Sequence, residues 1–308
     1  MSVDFGFALI EKHPKPPRLN QWMEDVDAIL PRLQGHYKSL WMTDHFIWGD
    51  QYVYDVWTVL TWLAAKWPSF DVGPMVMGQN YRNPALLAKM AATLNVFSGG
   101  RFIMGLGAGW KEDEYRAYGY DYPSAGARVQ QLEDTLEIIK RLWTQPGKVS
   151  YQGTYYAVND AYFEPKPDPL PPICLGVKGE KTLKLAAKYA DWWNISDAPI
   201  AYYSDRSNLL SRYCEEIGRD PKTVRRSWFG RVVTARSEAE VQKLATSRPG
   251  IVYSRANCFI GTPAQVVEQM AEFVAAGNTY FMIDVVGQPN TDLLDLVNEE
   301  IIPHVKAM

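Results

Sequence analysis

The chain has 308 residues, of which 47% are hydrophobic, and its formal net charge is −3. This length suits two ordinary domains or one (β/α)8 barrel, which typically takes about 250 residues. The weak negative charge gives no electrostatic footprint for nucleic acid, and no apolar run reaches the roughly 18 residues of a membrane span. Residues 1–13 lack the features of a signal peptide, and the three cysteines show no metal-like clustering. We therefore expect a soluble cytoplasmic protein without a metal centre.

Short apolar runs alternate with longer segments of helical periodicity. The runs that predict strands are 3–9, 39–43, 70–77, 101–107, 173–176, 192–196, 224–235 and 280–286. The segments that predict helices are 19–33, 53–66, 84–97, 126–144, 181–189, 204–218 and 262–276, with a further helix at the start of 237–257, and 291–305 closes the chain. Such alternation is typical of parallel βαβ units. Because no Pro/Gly-rich linker divides the series, we predict one α/β domain over 1–308, a single (β/α)8 TIM barrel.

The regular alternation lapses after the fourth predicted strand. Residues 111–122 are polar and aromatic, and 149–158 alternate as a small hairpin does. Five prolines follow between Pro165 and Pro172. Their spacing forbids a helix and predicts an extended segment. We therefore predict that 111–171 is an insertion at the carboxyl face of the barrel, where barrel enzymes build their active sites.

An Asp-His pair, Asp44-His45, directly follows the second predicted strand. The other three histidines, His13, His36 and His304, have no motif around them. At a barrel mouth such a pair can hydrogen-bond a polarised carbonyl group or transfer a proton. The structural alternative is that Asp44 caps the next turn while His45 packs. We predict that both residues are catalytic.

Glycines and a proline interrupt the third and fourth predicted strands. Gly105, Gly107 and Gly109 are spaced by two residues at the carboxyl end of the fourth strand, which is not the Rossmann spacing. Their bare backbone predicts clearance for a flat ring. Pro74-Met75 lies inside the third strand, where a proline requires a local irregularity. The irregularity is either a plain bulge or one that supports a ligand, and we favour the second.

The segment Gly176-Val177-Lys178-Gly179-Glu180-Lys181-Thr182 leads from the fifth strand through a short turn into a helix. Backbone N–H groups at a helix start, together with the helix dipole, favour an anion, so a phosphate would fit there. Lys178 would add a direct charge contact, or it is simply solvated. We predict that these seven residues bind the phosphate of a cofactor.

These motifs resemble the luciferase-like monooxygenase superfamily. The resemblance is carried by 41–46 (WMTDHF), 81–110, 128–133 (RVQQLE), 142–143, 151–156 (YQGTYY), 172–183, 189–194 and 260–263 (IGTP). Members are barrel enzymes that use FMN or the deazaflavin coenzyme F420, so the resemblance implies a cofactor ring at the carboxyl mouth. It places Asp44-His45 beside the ring and Pro74-Met75 under it, as a bulge or a non-prolyl cis peptide. It also makes Gly107, Gly109 and Trp110 cofactor-binding residues.

The chain departs from the family pattern in two places. Trp110 stands where deazaflavin-dependent sugar-phosphate dehydrogenases have a carboxylic acid, which argues against a sugar-phosphate substrate. Val177 and Lys178 stand where close relatives are richer in glycine. Glu114 either acts as an acid or holds the insertion in place. The residues we assign to the substrate pocket are Glu11, Trp48 and Glu114.

The resemblance implies an oxidoreductase that transfers a hydride between F420 and a small organic substrate, working as a homodimer. F420 is favoured because the Asp-His-Phe motif and the GAGW strand end are most similar to the deazaflavin subgroup. One alternative is a two-component monooxygenase that uses oxygen and reduced FMN from a separate flavin reductase. Another is a non-catalytic barrel that only binds a flavin or serves as a scaffold.

Overall fold

The computed structural model describes residues 2–9, 12–13, 18, 20–247 and 251–308. The strands in this part of the chain are β1 (Asp4–Ala8), β2 (Lys12–His13), β3 (Ser39–Met42), β4 (Tyr52–Val53), β5 (Asp71–Pro74), β6 (Met77–Gly78), β7 (Met104–Gly107), β8 (Lys148–Gln152), β9 (Ala157–Tyr162), β10 (Ile173–Gly176), β11 (Trp192–Ser196), β12 (Arg225–Thr234), β13 (Cys258–Gly261) and β14 (Tyr280–Val285). The helices are α1 (Gln21–Leu33), α2 (Val56–Lys66), α3 (Pro84–Phe97), α4 (Glu112–Ala117), α5 (Ala125–Thr144), α6 (Glu180–Tyr189), α7 (Ile200–Glu216), α8 (Glu238–Ala245), α9 (Pro263–Ala275), α10 (Thr291–Glu300) and α11 (Ile302–Lys306). None of these described helices is long and apolar enough to cross a membrane.

Eight of the described strands form a parallel barrel, in the hydrogen-bonded order β5-β3-β1-β14-β12-β11-β10-β7, with β6 beside β7 and β13 beside β12. The ring closes where β5 meets the residues before β7. There the backbone N–H of Val72 donates to Arg101 O at 2.9 Å, and Ile103 N donates to Val72 O at 2.9 Å. Each barrel strand is followed by a helix. The predicted α/β class and (β/α)8 barrel are therefore confirmed.

Helix α3 shows how local sequence sets the ends of an element. The side chain of Asn83 caps the helix by accepting from Ala85 N at 2.9 Å, and Pro84 occupies the first position, where a missing N–H costs nothing. Gly99 and Gly100 end it with φ angles of +70° and +83°, which only glycine adopts easily. The predicted and observed bounds of this helix agree.

Several elements differ from the prediction: β2 and β4 are additional short strands, and the segment 291–305 forms two helices, α10 and α11. The sequence predicts neither α4, a six-residue helix that is too short to show a period, nor β13, which pairs with β12 only beyond the end of β11. Helix α7 begins at Ile200 rather than at 204, directly after Pro199. The short elements matter most for the site, since α4 supplies a buried carboxylate at the barrel mouth.

The amino end of the barrel is plugged by side chains. The interior cluster includes Trp41, Met75, Ile103, Cys174, Tyr280 and Met282. Below it, Arg225 forms an ion pair with Asp4 at 2.7 Å, and its guanidinium lies 4.8 Å from the Trp192 ring and 4.5 Å from the Tyr280 ring. A ligand therefore has to approach the interior from the carboxyl end, as is usual for this fold.

The segment 111–171 has several parts. Residues 111–124, which include α4, follow the carboxyl end of β7, and α5 then packs against both α3 and α6. The hairpin β8–β9 comes after α5 and packs on it. The extended residues beyond the hairpin contact α3, where Asn95 Nδ2 donates to Pro169 O at 2.7 Å and Lys89 Nζ donates to Glu164 O at 2.7 Å.

Candidate functional site

The histidine of the Asp44-His45 pair lies at the carboxyl mouth of the barrel, three residues after β3 ends at Met42. Its Nδ1 is 2.9 Å from Oε2 and 3.1 Å from Oε1 of Glu114. The side chain is 10% exposed. Its Nε2 forms no hydrogen bond with any residue that the structure describes. One ring nitrogen is thus held by the protein, and the other is available to a ligand.

Glu114, on α4, is 0% exposed and lies behind His45. Its Oε1 accepts from the backbone N–H groups of Phe46 at 2.9 Å and Ile47 at 3.1 Å, and its Oε2 accepts from the Tyr81 hydroxyl at 3.3 Å. Burial alone would raise the pKa of Glu114, but the hydrogen bond and charge of His45 and the two backbone donors hold it below the usual range. The sequence predicts Glu114 in the substrate pocket; the structure buries it behind the histidine.

Two tryptophans flank the imidazole of His45. The ring of Trp48 meets it edge to face with centroids 4.9 Å apart, and the ring of Trp110 does so at 5.9 Å. The two indoles contact each other at 6.3 Å, and Lys111 Nζ lies 5.4 Å from the Trp48 ring. Trp110 is nevertheless 64% exposed. The mouth beside His45 therefore has an aromatic wall with free surface, while the roles of Trp48 in the substrate pocket and of Trp110 in cofactor binding stay predictions.

Asp44 has surroundings quite different from those of His45. Its carboxylate is buried, and it accepts from Arg82 Nη1 at 2.9 Å, from Arg82 Nη2 at 3.3 Å and from Gly78 N at 3.3 Å. Burial raises the pKa of Asp44, and the charge of Arg82 offsets part of that rise. Arg82 also lies 3.3 Å from Asp55. The structure thus separates the two residues predicted as catalytic: the ring of His45 reaches the mouth, and the carboxylate of Asp44 is enclosed by an ion pair.

The irregularity predicted at Pro74-Met75 is present one bond further along. Strand β5 ends at Pro74, and a non-prolyl cis peptide joins Met75 to Val76 before β6 begins. The backbone N–H of Met75 still bonds to Met42 O at 2.6 Å. The half-buried side chain of Val76 follows, and the sequence does not predict a role for it.

The glycines predicted to give clearance for a ring give it to protein atoms. A Cβ on Gly105 would lie 1.8 Å from Pro74 O, and one on Gly109 would lie 1.8 Å from the Tyr115 hydroxyl, at a residue whose φ is +75°. A Cβ on Gly107 would lie 2.8 Å from Val76 Cγ2. The missing side chain of Gly107 thus allows Val76 to pack against the carboxyl end of β7. Direct contact of Gly107 or Gly109 with a cofactor stays a prediction.

Gly176 and Val177 open the predicted phosphate turn. A Cβ on Gly176 would lie 2.7 Å from Val76 Cγ2, so Val76 rests between this glycine and Gly107. Val177 is buried; its N–H donates to Asn194 O at 3.1 Å, and its carbonyl accepts from Trp193 Nε1 at 2.9 Å. Val177 is therefore anchored against β11.

The rest of the turn is exposed and leads into α6. The helix begins after Gly179 without a side-chain cap, and the hydroxyl of Thr182 donates to Gly179 O at 2.8 Å. In the described part of the chain, no residue accepts a hydrogen bond from the N–H groups of Glu180, Lys181 or Thr182. Lys178 and Lys181 are exposed on either side. This helix start retains the open donors that an anion site needs.

An ion cluster that the sequence analysis did not single out lies on another wall of the barrel. Arg231 follows the interior residue Phe229 by two positions on β12, so it also faces inward. Its Nη1 lies 3.5 Å from Asp197 Oδ1, and its Nε lies 3.7 Å from Oδ2 of Asp284, its register partner on β14. The sequence does carry a signal for this cluster. Every second residue of the predicted strand shares one face, and that face holds Arg225, Ser227, Phe229 and Arg231.

The role of Glu11 and the absence of a metal centre both stay predictions. Glu11, assigned to the substrate pocket, lies outside the described residues. Among the residues that are described, no group of three or more His, Cys, Asp or Glu side chains could hold a metal ion. The candidate site has four described parts: His45 with Glu114, the aromatic wall of Trp48 and Trp110, Val76 between Gly107 and Gly176, and the start of α6.

The fold and site together form a parallel (β/α)8 barrel with a histidine held at its carboxyl mouth and an open helix start three strands away, beyond β5 and β7. The family model of luciferase-like monooxygenases matches residues 34–254. The chain belongs to this family, and it is an oxidoreductase of the luciferase-like type.

The relatives and solved structures include proteins of two kinds: F420-dependent enzymes and monooxygenases. The chain is 22% identical to an F420-dependent glucose-6-phosphate dehydrogenase of Amycolatopsis mediterranei (strain U-32), over 88% of this chain and 90% of the relative. A solved F420-dependent secondary alcohol dehydrogenase in complex with an F420-acetone adduct has a TM-score of 0.85 and 18% identity, and 99% of each chain is covered. The EDTA monooxygenase of Chelativorans sp. BNC1 has a TM-score of 0.78 and 13% identity over 100% of this chain and 94% of that one. Both solved structures share the fold.

Proposed function

We propose that this chain is an F420-dependent oxidoreductase that transfers a hydride between F420 and a small organic alcohol or carbonyl compound. The observation that carries the proposal is the arrangement of His45, whose Nδ1 is bound to a buried carboxylate at 2.9 Å while Nε2 is available at the barrel mouth. Such a ring nitrogen is suited to accept or donate the proton that accompanies hydride transfer at a hydroxyl or carbonyl group. The F420-dependent relative and the F420-dependent alcohol dehydrogenase fold support this choice of cofactor.

The residues of the mouth suit a flat cofactor that carries a phosphate. Val76 lies over Gly107 and Gly176, and it presents an apolar surface on which a ring could rest. The uncapped start of α6 after Gly179 offers backbone donors for a phosphate group. Val76 and the α6 start would therefore hold the cofactor, with Lys178 available for a charge contact.

When bound, F420 would supply the carbon that takes up or gives back the hydride. In the oxidation of an alcohol, the hydride leaves the carbinol carbon, and the hydroxyl proton moves to Nε2 of His45 as the C–O bond becomes a carbonyl. In the reverse direction, protonated His45 donates that proton to the oxygen. Trp48 and Trp110 would shape the apolar side of the substrate pocket beside the imidazole.

Asp44 has a supporting task in this proposal. Its carboxylate joins Arg82 and the N–H of Gly78, so it connects the loop after β3 with the segment after β5. Both segments border the mouth. Asp44 would therefore keep the backbone of His45 in place without touching the substrate.

The experiment is a pair of titrations of the purified chain, one with F420 and one with FMN, in the same buffer. The proposal expects F420 to bind at least about tenfold more tightly, a difference of about 1.4 kcal/mol. Tighter binding of FMN would favour the two-component monooxygenase. Binding of neither cofactor would contradict the proposal and favour a barrel that serves only as a scaffold.

A further inference from the structure

We infer that Glu114 is a positioning residue that acts through His45: it keeps the proton of the neutral imidazole on Nδ1 and thereby leaves Nε2 as the proton acceptor. The inference rests on the proposed function in one respect, namely that His45 handles the proton of the reaction. It gives Glu114 a task different from lining the pocket or holding the insertion.

The contact between the two side chains is direct and shielded from water. Nδ1 of His45 lies 2.9 Å from Oε2 and 3.1 Å from Oε1 of Glu114, and the Glu114 side chain is 0% exposed. A hydrogen bond to an ionised group is stronger than one between neutral groups, and burial strengthens it further. The pair is therefore able to hold one orientation of the imidazole ring.

The chemistry of the carboxylate sets the position of the proton. Burial raises the pKa of Glu114, but the hydrogen bond and charge of His45 and the backbone N–H groups of Ile47 and Phe46 outweigh it and hold that pKa below its usual range. Glu114 is therefore ionised at neutral pH. An ionised carboxylate only accepts hydrogen bonds, so a neutral histidine facing it must donate through Nδ1–H. Nε2 then carries the lone pair.

The two oxygens of Glu114 have different partners, and this difference allows a clean test. Oε1 accepts from both backbone N–H groups, Phe46 at 2.9 Å and Ile47 at 3.1 Å. Oε2 faces His45 Nδ1 more closely and also accepts from the Tyr81 hydroxyl at 3.3 Å. In Glu114→Gln, the two backbone donors require the amide oxygen at the Oε1 position. The amide NH2 then takes the Oε2 position and donates to Nδ1.

Glu114→Gln is thus expected to keep the loop in place while it moves the imidazole proton to Nε2. We expect kcat to fall about 10²-fold or more, because Nε2 no longer accepts a proton, while KM for the substrate changes little. A histidine 15N NMR spectrum at about pH 9, where ordinary histidines are neutral, should show Nδ1–H for His45 in the parent and Nε2–H in the variant. The chain has four histidines, so a spectrum of His45→Gln identifies the signal.

A matched control is available on α5. Glu137 is a half-buried glutamate that accepts from the Tyr189 hydroxyl at 2.6 Å, away from the mouth. Glu137→Gln makes the same chemical change, and it should leave both kcat and the His45 spectrum unchanged. A fall in kcat equal to that of Glu114→Gln would show that the effect is a general loss of stability and would overturn the inference.

The spectrum of the parent decides the question even if Glu114→Gln does not fold. An Nε2–H signal for His45 in the parent would overturn the inference. So would a Glu114→Gln variant in which the His45 tautomer changes while kcat stays within twofold of the parent. The proposed function can fail separately. If F420 supports no turnover at all, the oxidoreductase proposal fails, whereas the tautomer of His45 still tests the role of Glu114.

Discussion

The carboxylate of Asp44 is held by both terminal nitrogens of Arg82, at 2.9 and 3.3 Å, and this ion pair is buried beside the barrel mouth. The neighbouring residue, His45, is bound instead to Glu114. Two adjacent residues of one motif therefore have different partners. Asp44 and Arg82 stabilise the loop, whereas His45, held by Glu114, presents a ring nitrogen to a ligand. This division leads to separate predictions for stability and for turnover.

Removing the positive partner should cost stability. Arg82→Met leaves the buried Asp44 carboxylate without its main counter-charge, so we expect the free energy of unfolding to fall by about 3–5 kcal/mol. The measurement is urea unfolding at neutral pH. The double variant Asp44→Asn/Arg82→Met removes both charges and should regain most of the loss. No recovery in the double variant would show that the guanidinium stabilises the fold by packing and not by its charge.

The cost of Arg82→Met should also depend on pH. Burial raises the pKa of Asp44 in the folded protein, and loss of Arg82 removes the charge that offsets this rise. The pKa of Asp44 is about 3.9 in the unfolded chain and higher in the folded variant. Between these two values the folded variant binds more protons than the unfolded chain, so its free energy of unfolding falls as pH increases. The variant should therefore be closer to the parent at about pH 5 than at about pH 8. A constant difference would contradict this account.

His45→Ala should lower kcat by about 10²-fold or more and leave the fold intact, because it removes the proton-handling group but no core side chain. The measurement is steady-state turnover with F420 on an identified substrate, with circular dichroism to check the fold. His304→Ala, at an exposed position on α11, is the control and should retain activity. Turnover of His45→Ala within twofold of the parent would reduce His45 to a packing residue.

Gly179→Val tests the start of α6 as the phosphate site. A Cβ at Gly179 meets nothing closer than Thr182 Oγ1 at 3.6 Å, so the valine fits the folded protein and obstructs only a ligand that approaches the backbone. We expect F420 affinity to fall at least about tenfold with a cooperative thermal transition. Gly126→Val, in the first turn of α5 where a Cβ meets nothing within 4 Å, is the matched control. Equal F420 affinity in the two variants would place the phosphate elsewhere.

The predicted homodimer has a candidate surface on α3. Phe97 is 84% exposed, and Leu86, on the same face three turns earlier, is also exposed. Single exposed apolar residues are common, but two on one helix face suit a covered surface. If the chain dimerises through α3, Phe97→Asp should shift its sedimentation coefficient to that of a monomer. Tyr162→Asp, at an exposed aromatic on β9, should not. An unchanged dimer in Phe97→Asp would exclude this surface.

The fold could be predicted from the sequence because each barrel element carries its own local signal. The apolar runs that form β10 and β11 are short and buried, and the glycine pair after α3 stops that helix where the turn needs positive φ. His45 follows another such apolar run, the one that forms β3, and the sequence predicts it at the mouth because the carboxyl ends of parallel barrel strands meet there.

The partners within the site could not be predicted in this way, because they come from distant parts of the chain. Glu114 reaches His45 across 69 residues, and Arg82 reaches Asp44 across 38. Glu114 also lies on a six-residue helix that is too short to show a period. A glycine shows that space is needed and not which atom fills it, so the sequence alone predicts a flat ring beside Gly105 and Gly109. Those atoms belong to Pro74 and Tyr115.

The most direct test of the central claim is hydride transfer without oxygen. Purified protein is mixed with F420 and a panel of small alcohols under strictly anaerobic conditions. The reverse reaction is run with reduced F420 and the matching ketones. In both directions the absorbance of F420 is followed. The account predicts loss or recovery of that absorbance with at least one substrate pair, at a rate that does not change when oxygen is admitted. Substrate oxidation that requires reduced FMN and stops when oxygen is removed, with no F420 binding, would contradict it.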